Sequence, residues 1–372
     1  MYKIGFDAKR LFHNGTGLGN YSRSLVSGLY QQYPQHEYVL FSPSVSYSEE
    51  SYFFTEKFKV VTPNTFSQIG WRSRFMLNSL LQENIDIYHG LSHELPFGIE
   101  STSIKSVVTI HDLIYKFFPE DFPLIDKTVY DIKWKNACSN ANAIIATSEA
   151  TKRDIIHHFG LSSDKIHVVY QTCNPIFEKK VPQFEIESVL KKLNLPPTYF
   201  LYVGAITERK NVLNLVKAYN SIKKSTQTPL VIIGNGRGHL LKLKKYISEQ
   251  HLEDRIILCS NIETIDLPAI YQAAKVFIYP SKYEGFGIPI IESLKSGTPV
   301  ITSNVSCMPE VVGDAGILID PENFENIAQS LLEIDNNISL RNELIDKGYS
   351  RAKLFNLSAF TEQTMNIYKK VL

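Results

Sequence analysis

Two hydrophobic periods alternate along the chain. Short runs rich in Val, Ile, Leu and aromatic residues mark strands, and longer stretches with apolar residues three and four apart mark half-buried helices. In the first half the strand runs are KIGFD (3–7), EYVLF (37–41), DIYHG (86–90), SVVTI (106–110), AIIAT (143–147) and KIHVVY (165–170). Helical spacing occupies the stretches between, as in 20–33 and 126–140. This βαβ alternation predicts a parallel sheet covered on both faces. The pattern breaks at QTCNPIFEKKVPQFEIESVLKKLNLPP, which holds four prolines, and resumes with YFLYV, LVIIG, RIILC, KVFIY, TPVIT and GILID. The chain therefore divides into a first domain over 1–175, a linker over 176–198, a second domain over 199–355, and a C-terminal helix over 356–372 that packs back on the first domain.

Composition narrows the class. With 372 residues there is room for two domains with buried cores. A hydrophobic fraction of 44% and a formal charge of +1 suit a globular protein with no global attraction to nucleic acid, so any anion site is local. Cys138, Cys173, Cys259 and Cys307 lie far apart in no metal or redox pattern. The N-terminal stretch lacks the apolar run of a signal peptide, and no segment reaches the roughly 18 apolar residues of a membrane span. The expected place is the cytoplasm, or the inner face of the cell membrane.

Glycine turns follow strands in both halves: GTGLGN (15–20) and GNGRG (234–238). Such turns let the backbone approach a ligand and aim helix N–H groups at a phosphate, although a tight turn that binds nothing has the same composition. Neither turn has the spacing of a dinucleotide fingerprint, and EYVLFSPS ends without the acidic residue that grips a ribose, which disfavours a dehydrogenase. In VGAITERKN a strand stops and Arg209 and Lys210 follow, cations that suit a diphosphate at the carboxyl edge of a sheet or cap a solvated loop. In YEGFGIPIIES, Glu284 and Glu292 flank Gly285, Gly287 and Pro289, and the proline predicts a helix start at its own position.

YVGAITERKN, YPSKYEGFGIPIIESLKSGTPVITSN, MPEVVGDAG, TIHDL, GTGLGNYSRSL and TSEATKRDI together resemble the family-4, retaining, nucleotide-sugar-dependent glycosyltransferases, and among these the bacterial mannosyltransferases of surface-polysaccharide synthesis. The resemblance implies the GT-B fold: two Rossmann-like, doubly wound α/β domains facing across a cleft, with the donor nucleotide on the second and the acceptor mainly on the first. It implies catalytic roles for His111, Arg209, Lys210 and Glu284, the two cations holding the diphosphate and Glu284 the transferred sugar. Glu292 matches the residue that accepts from the ribose hydroxyls. Gly204, Asn261, Ile262, Gly285, Phe286, Gly287 and Ile288 line the donor, and Gly17 admits its phosphate. Asn20, His93 and Asp112 fall on the acceptor side. Histidine and aspartate also end strands as hydrogen-bonded caps, and that reading stands beside these roles for His111, Asp112 and His93.

The expected reaction is retaining transfer of a hexose, mannose from GDP-mannose before a UDP-sugar, to a glycan or lipid-linked saccharide. No cofactor is expected. Metal ligands are expected to be none, because no D-x-D pair occurs and Arg209 and Lys210 supply positive charge. A sugar-nucleotide epimerase, a phosphorylase and a noncatalytic nucleotide-sugar-binding subunit are the rivals. The stretch 69–82 mixes Trp71, Phe75, Met76 and Leu77 with Arg72 and Arg74, which fits peripheral membrane contact but fits better a helix packed on its own sheet.

Overall fold

A computed structural model describes residues 1–63, 70–236 and 238–372. Ile69 of the tryptophan-arginine stretch and Arg237 of the second glycine turn lie outside them. The chain forms two compact units: Met1–Thr172 with Phe355–Leu372, and Cys173–Leu354.

Seven parallel strands make the sheet of the first unit: β1 (Lys3–Asp7), β2 (Glu37–Phe41), β3 (Lys59–Val61), β4 (Ile87–Gly90), β5 (Lys105–Ile110), β6 (Ala143–Ala146) and β7 (Ile166–Val168). Their order is β3-β2-β1-β4-β5-β6-β7. Successive side chains enter opposite faces, so Tyr38 and Leu40 of β2 join one apolar cluster while Val39 and Phe41 join the other. The sequence pattern misses β3, whose three residues are half-buried at best, because an edge strand that short shows no period.

The last helix, Leu357–Val371, lies against the helix Gly17–Gln32 and puts Phe360, Met365, Ile367 and Tyr368 into the first of those clusters. It is separated from the helix Ile338–Ala352 by Asn356, whose side-chain oxygen accepts the Ala359 N–H at 2.8 Å and so starts a new helix. Trp71 and Met76 are core residues under the opposite face, Arg72 is held by Asp7, and Phe75 and Arg74 face outward. The stretch from Trp71 to Gln82 is thus anchored on its own sheet.

In the second unit six parallel strands follow: β8 (Tyr199–Val203), β9 (Leu230–Ile233), β10 (Ile256–Cys259), β11 (Ala274–Tyr279), β12 (Val300–Ser303) and β13 (Gly316–Ile319). Their order is β10-β9-β8-β11-β12-β13. In both sheets the order reverses beside the first strand of the unit, the switch point at whose carboxyl edge open α/β sheets bind ligands. The proline-rich stretch before β8 is folded, with a short 3-10 turn at Pro175–Glu178 and a helix at Gln183–Lys192 that packs on the helix Leu267–Ala273 of the second unit. Among the described residues no helix is long and apolar enough to cross a membrane.

Candidate active site

The loops after β8, β9 and β10 are laced together at one edge of the second sheet. Gly204 N–H donates to Ile233 O, Ile206 N–H to Asn235 O and Gly234 N–H to Cys259 O, each at 2.9 Å. A Cβ on Gly234 would lie 1.9 Å from Gly204 O, so only glycine allows the first two loops to touch. Beyond them Asn261 adopts a left-handed φ of 58° and accepts the Asn235 side-chain amide at 3.2 Å; Ile262, next to it, is partly exposed.

Arg209 and Lys210 end the β8 loop, and the loop after β11 is fastened to it by Lys282 N–H donating to Arg209 O at 2.8 Å. This brings Glu284 onto both cations: Arg209 Nη1 lies 2.7 Å and Lys210 Nζ 2.6 Å from Glu284 Oε1. Ser281 Oγ donates to the same oxygen, Lys210 Nζ donates to Tyr279 OH, and Arg209 Nη1 reaches Tyr283 O at 2.5 Å. Burial alone would raise the Glu284 carboxyl, but Lys210 and Arg209 outweigh it and hold the group below the usual carboxylate range. Burial lowers the Lys210 ammonium although Glu284 touches it. Two cations share one carboxylate here, so the cluster keeps positive charge for an anion.

Just beyond Glu284 the chain turns through Gly285, Phe286 and Gly287. Gly287 has φ 89° and caps the helix Ile288–Lys295, which begins at Ile288, one residue earlier than the proline predicts, with Pro289 second. The left-handed glycine, not the proline, starts the helix. No side chain caps this N-terminus and no acidic residue occupies its first turn. Glu292 follows one turn on. Its only described partner is Tyr271, whose hydroxyl donates to Oε2 at 3.2 Å, and no described cation pairs with it. Burial pushes its carboxyl up to about 7, against the smaller opposing effect of that hydrogen bond. The two glutamates are thus electrostatically opposite: Glu284 is an ionised partner of cations, and Glu292 is a buried carboxyl that holds its proton toward neutral pH.

At the edge of the first sheet, His111 follows β5 with its ring edge-on to Tyr21, centroids 4.5 Å apart. Its Nε2 lies 2.8 Å from Leu91 O, which assigns the proton to Nε2 and leaves Nδ1 as acceptor. Burial lowers its pKa to about 4, so the imidazole is neutral. His93 is committed to the fold: its Nε2 accepts His111 N–H at 3.1 Å and its ring stacks on Trp134 at 4.0 Å. His89 is deeper, bonded to Tyr368 OH at 2.6 Å and Thr109 Oγ1 at 2.8 Å. Asn20 Oδ1 accepts from Arg23 at 2.5 Å, Asp112 Oδ1 accepts Ile114 N–H at 3.1 Å, and Gly17 begins its helix behind Thr16, which provides no side-chain cap.

Ser281, Tyr279, Tyr271 and Ser306, which accepts Glu284 N–H at 3.2 Å, are the supports that sequence reasoning does not find. Only Ser281, three residues before Glu284, carries a local hint. Among the described residues no group of three or more His, Cys, Asp or Glu side chains is placed to hold a metal.

Residues 184–351 match the family model described as glycosyl transferases group 1, and residues 15–175 the model of glycosyltransferase family 4. An O-antigen chain mannosyltransferase of Escherichia coli is 33% identical over 286 residues, spanning 76% of this chain and 74% of that protein. Another O-antigen chain mannosyltransferase, from Salmonella typhimurium, is 25% identical over 339 residues, 88% of this chain and 89% of its own. Among solved structures, the sucrose-phosphate synthase of Thermosynechococcus elongatus superposes with a TM-score of 0.80 at 19% identity, covering 100% of this chain and 99% of the other.

Proposed function

This chain belongs to the glycosyltransferase family of group 1 and family 4 and has its GT-B fold, and from that premise we propose that it transfers mannose, with retention, from GDP-mannose to a glycan or lipid-linked saccharide. The observation that carries this reading is the pair of glutamates in opposite electrostatic states, Glu284 held by Arg209 and Lys210 and Glu292 paired with no described cation. A nucleotide-sugar is anionic at its diphosphate and rich in hydroxyl donors at both ends, and the second unit supplies those complements in one stretch of edge. Arg209, Lys210 and the backbone N–H of Ile288 face the diphosphate; Glu292 takes the ribose hydroxyls; Glu284 takes hydroxyls of the sugar. Gly204, Asn261 and Ile262 belong to the loops beside the base, where backbone groups read it. The two relatives' printed activities favour mannose and surface-polysaccharide synthesis over other sugars.

In the proposed reaction the bond from the anomeric carbon to the diphosphate breaks while the acceptor hydroxyl attacks from the same face. A donor phosphate oxygen takes the acceptor's proton, so no protein carboxylate acts as base. Lys210 and Arg209 stabilise charge on the leaving diphosphate, which is where preorganised charge contributes most to rate. Glu284, already ionised by those cations, is placed to favour positive charge on the sugar. His111, neutral with Nδ1 free of described partners, serves as an acceptor for a sugar hydroxyl rather than as a cation. The cations do the work a divalent metal does elsewhere, and the transfer is proposed to need none.

A thermal-shift panel of GDP, UDP and their sugars tests the donor: a ligand at 100 times its dissociation constant stabilises by about 2.7 kcal/mol. Stabilisation by GDP and GDP-mannose above UDP compounds is expected. Stabilisation by UDP-sugars alone would replace the base and sugar, and stabilisation by neither would remove the donor reading.

A further inference from the structure

The first unit carries cations that the donor chemistry leaves unused. β1 ends at Asp7 and the chain turns at once into the helix Lys9–His13, so Lys9 and Arg10 stand at the carboxyl edge of the first sheet. Asp7 is taken up there. It receives Arg72 Nε at 3.2 Å, Arg72 Nη2, and the backbone N–H of Lys9 at 3.2 Å. Glu94 is shared by Arg72 Nη1 at 3.4 Å and Lys133 Nζ at 3.2 Å. Among the described residues no carboxylate lies within 4.0 Å of the Lys9 or Arg10 side-chain nitrogens, and Arg10 Nε is enclosed with no hydrogen-bond partner.

Charges so placed are unfavourable without a guest. Burial and the nearby Arg72 lower the Lys9 ammonium pKa, with Arg10 acting in the same direction, by more than Glu94 and Asp7 raise it. Arg10 also bears on His93 and His111, which places it in their neighbourhood. Those imidazoles are neutral and offer it no charge. Partly buried cations are ordinarily paired, and a guanidinium and an ammonium at one sheet edge suit a phosphate or carboxylate.

We infer that Lys9 and Arg10 form an anion subsite on the first unit that takes a phosphate or carboxylate group carried by the acceptor saccharide. The inference rests on the acceptor reading for that unit given above. The donor's diphosphate has its own cations, Arg209 and Lys210, on the second unit.

Binding rather than turnover tests it, by calorimetry with the donor site filled by saturating GDP. The probes are mannose 1-phosphate, methyl α-glucuronide and neutral methyl α-mannoside. The native protein is expected to bind at least one anionic probe about tenfold or more tighter than the neutral one, the worth of a charged hydrogen bond. Preference for the phosphate indicates an anion on the acceptor's carrier, and preference for the glucuronide an acidic sugar; both support the subsite. The double variant Lys9→Gln, Arg10→Gln should lose the preference and keep its GDP affinity, which also shows that it folds, and Arg10→Lys should keep most of it. Equal binding of all three probes by the native protein, an unchanged preference in the double variant, or an equal loss of GDP affinity would overturn the assignment. Failure of GDP to bind while mannose 1-phosphate still does would instead count against the proposed donor and leave the subsite standing.

Discussion

Replacing Glu292 by glutamine separates what this carboxyl does to the fold from what it does for a ligand. Its carboxyl is raised from an ordinary 4.5 to about 7 by burial. At about 1.4 kcal/mol per unit, the shift corresponds to about 3 kcal/mol between the two protonation states. The folded form therefore binds the proton more tightly than the unfolded chain. Its contribution to stability is fully present below pH 4.5, falls as pH rises through the window from 4.5 to 7, and is lost above it. Glutamine keeps an acceptor for Tyr271 but cannot ionise, so Glu292→Gln should exceed the native protein in urea melts by less than about 1 kcal/mol at pH 5 and by about 3 kcal/mol at pH 8. Ribose hydroxyls donating to the carboxylate favour its ionised form. Nucleotide binding should then release up to about three-quarters of a proton near pH 6.5, read from calorimetry in buffers of different ionisation enthalpy, and Glu292→Gln should abolish that release while weakening nucleotide binding by about 1 to 3 kcal/mol. Equal stability of the two proteins at pH 8, or proton release unchanged in the variant, would refute the reasoning.

Further outcomes follow from the same geometry. Glu284→Gln should depress kcat with a smaller effect on donor KM, whereas Glu292→Ala should act mainly on donor KM; parallel effects on both constants would contradict that division. Lys210→Ala should lower kcat by about a hundredfold or more, on the scale of losing one preorganised charge at the leaving group, with donor binding followed separately by thermal shift. Deleting residues 357–372 removes Phe360, Met365, Ile367 and Tyr368 from the first core and His89's partner. At about 2 kcal/mol for each of these buried side chains the loss, about 8 kcal/mol, is as large as ordinary domain stability, so hydrogen exchange should show the first unit open while nucleotide binding by the second persists.

Much of this was legible before the structure. All six strands of the second sheet and six of the seven in the first follow from short apolar runs between helical periods, since strands buried on both faces leave continuous signals. β3 does not, because an exposed three-residue edge carries no such signal. Glu284 stands in one legible motif and Arg209 and Lys210 in another, yet their mutual contact spans 74 and 75 positions and depends on parallel β8 and β11 lying side by side. Tyr271 and Ser306 reach the two glutamates only through such tertiary placement. Lys9 and Arg10 read as ordinary charges in the sequence; that no carboxylate among the described residues pairs with their side chains is visible only once Arg72, distant in the chain, is seen to occupy Asp7.

The central claim is retaining transfer from a nucleotide-sugar without a metal. Purified protein incubated with GDP-mannose, a saccharide acceptor and excess EDTA, with the product's anomeric configuration read by NMR, tests it most directly. An α-mannosyl product formed from the α-linked donor at undiminished rate in chelator is predicted; a β-linked product, or transfer that stops in EDTA and returns with manganese, would contradict it.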